Sequence, residues 1–188
     1  RSRGSLRPGA PVAVGELGYD SVTPEEDEVF AHPLVLAVEH DLPALVHTPH
    51  RDKLTGTRRT LDVVRESGLA PGRVLVDHLN EVTVGVVADS GCWMGFSIYP
   101  DTKMDPHRMV AILREHGTER MVVNSAADWG RSDPLLTVRT AEAMLAAGFD
   151  DDDVDRVLWR NPVEFYGPSG RLELADVAPD AVATPVAA

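Results

Sequence analysis

Short continuous apolar runs recur along this chain, each followed by a segment with helical signals. Val12-Ala13-Val14, Ala44-Leu45-Val46, Val74-Leu75-Val76, Trp93–Ile98 and Met121-Val122-Val123 read as strands. Between and after them, Pro24–His40, Thr57–Ser67, Glu81–Ser90, Pro106–His116, Pro134–Ala147 and Asp153–Trp159 read as helices. Thr23 and Glu26 form a capping-box pattern at the first helix, and Gly68, Gly91 and Gly117 stop three others. The strands lack polar alternation, which marks a sheet covered on both faces, so the class is α/β with parallel strands. A doubly wound sheet and a (β/α)8 barrel both satisfy this pattern. No G-x-G-x-x-G or Walker A sequence follows a strand, which argues against the nucleotide-binding version.

Four of the strands lead into side chains that can hold a metal. The first runs into Glu16, the second ends at His47, the third at His78, and the fifth leads through Asn124 to Asp128. The spacing from Glu16 to His47 is 31 residues, and from His47 to His78 it is 31 again. That is one strand–helix–strand step. In a parallel barrel every strand ends on the same rim, so these four side chains converge there. Two imidazoles with two carboxylates suit Zn²⁺ or Mn²⁺. Each residue alone has an ordinary explanation as a helix-start acid, a loop histidine or a turn cap; their common register argues for a site. Asp77 and Asn80 flank His78 and could orient its ring. His50, Arg51 and Trp129 are placed to face a substrate.

With 188 residues the chain has room for one domain and a sizeable core. It carries 30 acidic against 18 basic residues, a net charge of −12. Such a surface repels nucleic acid and anionic membranes. Only six cations, Arg51, Lys53, Arg58, Arg59, Lys103 and Arg131, could line the rim. No run of apolar residues is long enough to span a membrane, and the one cysteine, Cys92, fits a reducing cytoplasm. The Arg, Ala, Val, Asp and Gly bias suggests a bacterial genome rich in G and C. Residues 1–11 read as a linker-like or non-native start, 12–170 as the folded domain and 171–188 as a flexible tail.

The residues at the strand ends are also familiar as motifs. Val14-Gly15-Glu16-Leu17-Gly18-Tyr19-Asp20 resembles the G-E-[IL]-G-[LY]-D segment of TatD-type metal-dependent hydrolases, in the amidohydrolase superfamily. Pro43–Thr48, Val76-Asp77-His78, Asn124–Trp129 and Asn161–Gly167 are similar to later segments of that family. The resemblance implies a (β/α)8 barrel and one or two divalent ions (Zn, Mn or Mg). It implies that Glu16 bridges two metals, that His47 and His78 hold the second, and that Asp128 holds the first and shuttles the proton. The chain contains no H-x-H, the pair that supplies the family's first-strand ligands. Only five strands are visible where a barrel needs eight. The expectation is therefore a fragment whose first strands are missing at the N-terminus.

The function expected on this basis is hydrolysis of a phosphoester or related bond in a small substrate by a metal-activated water. One alternative is a metal-dependent 3′–5′ deoxyribonuclease, with nucleic acid possible as a partner but disfavoured by the net charge. The alternative from another class is an inactive truncated barrel acting as a binding or scaffold protein.

Overall fold

A computed structural model describes residues 11–125 and 131–172. Five parallel strands form one sheet: β1 (Val14–Gly18), β2 (Ala44–His47), β3 (Val74–Asp77), β4 (Trp93–Ile98) and β5 (Met121–Ser125). Their spatial order is the chain order, β1-β2-β3-β4-β5. This order separates the two architectures that fit the sequence. A doubly wound sheet reverses direction so that helices cover both faces. A sequential sheet with right-handed crossovers keeps its crossover helices on one side, as a barrel does. The described strands do not close into a ring; they form an open arc with barrel-type winding.

The helices are α1 (Pro24–Glu39), α2 (Lys53–Ser67), α3 (Val84–Ala88), α4 (Pro106–His116), α5 (Leu136–Ala146), α6 (Asp151–Asp155) and α7 (Asn161–Tyr166). A π-helical turn, Arg156–Arg160, joins the last two. The capping box at α1 forms as the sequence predicts: Glu26 N–H donates to Thr23 Oγ1, and Thr23 N–H donates to a Glu26 carboxylate oxygen at 2.8 Å. α2 begins four residues earlier than the periodicity indicates, and α3 is half the length expected.

Alternate strand residues divide between two cores. Val46, Val76, Phe96 and Val123 point to the helix side and pack with Phe30, Leu34, Val63, Met109, Ile112 and Met144. On the other face Leu75, Trp93 and Val122 form a smaller cluster with Phe165, flanked by Leu45 and Tyr166. α7 thus crosses back onto the inner face, with the Trp93 and Phe165 rings 5.8 Å apart. Buried Asn161 anchors it by donating to the Thr118 and Met121 carbonyls at 2.8 and 2.7 Å. The apolar residues at the base of this face leave the polar ones, Asp77, Ser97 and Asn124, at the C-terminal ends of their strands.

Candidate metal site and adjoining cleft

Glu16, His47 and His78 come together at the C-terminal edge of the sheet. β2 delivers His47 as its last residue. His78 follows β3 with φ +63°, a left-handed conformation uncommon for a residue with a Cβ. Its backbone N–H donates to Asp77 Oδ1 at 2.6 Å. The turn aims the imidazole at β1 and β4, where Nδ1 lies 2.7 Å from Ser97 Oγ and Nε2 lies 3.0 Å from Glu16 Oε1. The His47 and His78 ring centroids are 6.4 Å apart. Glu16 departs from the expected position in one respect: it sits mid-strand in β1, not beyond its end, where the pairing with β2 shifts register between Val14 and Leu17.

Glu16, Asp77 and His78 each present a ligand atom within 4.8 Å of the other two, a grouping able to hold a metal ion. Their surroundings divide the labour. Asp77 is buried, and its oxygens accept from the His78 backbone and from Asn124 Nδ2 at 3.0 Å. It therefore braces the His78 turn through the backbone rather than through the ring. Ser97, not Asp77, holds the ring: with Nδ1 engaged there, Nε2 is the nitrogen offered to Glu16. Gly95 of β4 makes room for this arrangement, since a Cβ there would stand 2.7 Å from Asp77 Oδ1.

The electrostatics suit cation binding. The hydrogen bond from His78 holds the Glu16 carboxyl below its ordinary value, so it is an anion at neutral pH. Burial depresses His47, which keeps its imidazole neutral with a lone pair available. The Glu16 carboxylate and the His78 imidazole supply a donor pair that fits a borderline divalent ion, while His47 lies outside the grouping with its ring 6.4 Å from that of His78.

Beside the histidines lies a cleft of about 300 Å³. His50 lines it; exposed Arg51 does not. Asp128 and Trp129 lie outside the described residues. Asp101 pairs with Arg131 at 3.7 Å, and Lys103 turns toward His78, its Nζ 3.3 Å from Nε2. Ser97 was not apparent as a site residue from sequence. The signal that could have found it is strand alternation, which puts Ser97 two residues beyond Gly95 on the inner face.

No family model matches the sequence. A Methanocaldococcus jannaschii protein named an uncharacterized metal-dependent hydrolase is 24% identical over 155 residues, which are 82% of this chain and 61% of that protein. A crystal structure of a TatD-like protein from Archaeoglobus fulgidus superposes with a TM-score of 0.68 at 29% identity, over 85% of this chain and 62% of the other. The phosphotriesterase homology protein of Escherichia coli shares the fold, with a TM-score of 0.65 at 20% identity over 82% of this chain and 59% of its own. This chain thus spans about three-fifths of the length of each of these proteins. Over that span the chain is similar in sequence to a protein named a metal-dependent hydrolase and similar in sequence and fold to a TatD-like protein.

Proposed function

We propose that this chain carries the metal-holding rim of a hydrolase that cleaves a phosphoester or related bond in a small substrate. The supporting observation is the approach of Glu16 to His78, 3.0 Å, with His47 alongside. One or two divalent ions (Zn, Mn or Mg) would be held by Glu16, His47, His78 and Asp128, with Glu16 bridging where two are bound. Such an ion supplies Lewis-acid polarisation of the scissile bond and activation of water. Asp128 would take the proton from the attacking water and return it to the leaving group. Ser97 and Asp77 fix His78, while His50, Trp129 and Arg51 would face the substrate.

Metal analysis and ester assays test this reading. The purified chain should retain at least about one divalent ion after dialysis and hydrolyse a phosphoester panel with Mg²⁺, Mn²⁺ or Zn²⁺. Asp128→Asn should lower kcat by about 100-fold or more while leaving metal bound. Less than about half an ion per chain, unchanged in Glu16→Ala, would favour a scaffold. Nucleotide release from labelled single-stranded DNA would favour the deoxyribonuclease.

A further inference from the structure

The chain has just two lysines, Lys53 and Lys103, and both line the cleft beside His47 and His78. They reach it from different elements, Lys53 from the first residue of α2 and Lys103 from the turn after β4. Among the described residues neither has a carboxylate within ion-pairing distance, although the chain carries 30 acids. Surface arginines show the usual alternative: Arg59 is held by Asp27 and Glu66, Arg73 by Asp41, and Arg108 by Glu81. Asp20 borders the cleft but does not pair with either lysine.

Both ammonium groups are held in place. Lys53 Nζ donates to Thr48 Oγ1 at 2.9 Å and to the Pro49 carbonyl at 3.3 Å. Thr48 Oγ1 is itself fixed by donating to the Asp77 carbonyl. An ammonium has three N–H donors, so one remains for a ligand. Lys103 has φ +56°, and its turn is braced by Arg108 donating to its carbonyl at 2.8 Å. Its Nζ lies 5.3 Å from the Tyr99 ring centroid and 3.3 Å from His78 Nε2. A non-glycine residue held in the left-handed region is strained, and such strain clusters at active sites and ligand clamps.

We infer that the cleft takes a substrate bearing one anionic group, a phosphate or a carboxylate, held between the ammonium groups of Lys53 and Lys103. The term substrate rests on the hydrolase reading; the anion site does not. Two fixed cations beside two imidazoles repel one another, and an anion between them removes that repulsion. The site is too small in charge for a nucleic-acid backbone. Of the other four rim cations, Arg59 and Arg131 are paired with acids, and Arg51 and Arg58 do not line the cleft. A polyanion needs a track of several cations; a single phosphate or carboxylate needs two.

The test uses the whole chain stripped of metal by chelation, titrated with inorganic phosphate and with acetate in a calorimeter. Saturable one-to-one binding is expected. Lys53→Gln and Lys103→Gln should each weaken it about tenfold or more, as loss of a charge-assisted hydrogen bond does. Lys53→Arg and Lys103→Arg should keep most of it, which guards against a misfolded variant. Tighter phosphate identifies a phosphate anchor, and tighter acetate a carboxylate. Failure of wild type to bind either anion saturably, or binding unchanged in the double Gln variant, would overturn the inference. A parallel Mn²⁺ titration by electron paramagnetic resonance separates the two readings. Mn²⁺ binding without anion binding sinks the anion site alone; anion binding without Mn²⁺ sinks the hydrolase reading alone.

Discussion

Glu16 Oε1 and His78 Nε2 stand 3.0 Å apart across the end of β2, although 62 residues separate them in the chain. The contact joins the first strand to the turn after the third and places an anion against an imidazole fixed from behind by Ser97. Glu16→Gln keeps the shape and removes the charge. It should weaken Mn²⁺ binding by more than about 100-fold, since even an outer partner of a ligand is worth about 10–100-fold. Ser97→Ala should fall within that smaller range. Both are read by Mn²⁺ titration.

The pH dependence of metal binding follows from the same pair of shifts. On the proposed ligand set, binding needs Glu16 ionised and His47 neutral. Glu16 lies below its ordinary carboxyl value because of the His78 hydrogen bond, and His47 below its ordinary imidazole value because of burial. A depressed pKa means the metal-ready form is present above that value and lost as pH falls through it. Affinity measured by Mn²⁺ titration should therefore hold from pH 8 to about pH 6.5 and decline below. A collapse between pH 8 and about pH 7 would contradict the assignment of His47.

Gly95 is required by space, not by backbone conformation. A methyl group there would meet Asp77 Oδ1 at 2.7 Å and Asp77 Cα at 2.9 Å. Gly95→Ala should cost about 1–3 kcal/mol, the usual penalty of overpacking. It should also lower Mn²⁺ affinity, because Asp77 holds the His78 turn. Urea unfolding reads the first effect and Mn²⁺ titration the second. A stability loss without a change in affinity would separate Asp77 from the site.

Away from the cleft, Asp27 accepts from the Tyr19 hydroxyl and takes two hydrogen bonds from Arg59, each 3.1 Å. Arg59, then Tyr19, hold its carboxyl below the ordinary value. The stabilisation is therefore present above the unfolded pKa and lost as pH falls through the folded one. The pair is partly exposed, so Asp27→Asn should cost only about 1 kcal/mol at pH 7. Urea unfolding of the two proteins should show that difference shrinking as the pH is lowered toward about 3.

Much of this architecture is local and legible in the chain. Apolar runs, capping residues and stop glycines place four of the five strands and most helices, because these depend on neighbours within a few residues. The 31-residue repeat predicts Glu16, His47 and His78 at one rim. The start of the sheet was harder. Val12–Val14 reads as the strand, yet β1 is Val14–Gly18. Gly15 and Gly18 look like a break, but they let β1 approach β2 where a Cβ would stand 2.6 Å from the Leu45 carbonyl and 2.2 Å from that of His47.

What only the tertiary structure decided was choice among equals. Six rim cations are equivalent as letters; their partners distinguish them, since Arg59 finds Asp27 from α1 and Lys53 finds no acid among the described residues. A parallel pattern allowed two windings, and the strand order selected one. Ser97 became a partner of His78 only when β3 and β4 lay side by side. Sequence alone determined which faces must be buried, since burial follows from side-chain type and period. Pairings between distant residues depend on register and on the left-handed turns at His78 and Lys103, which the folded chain settles.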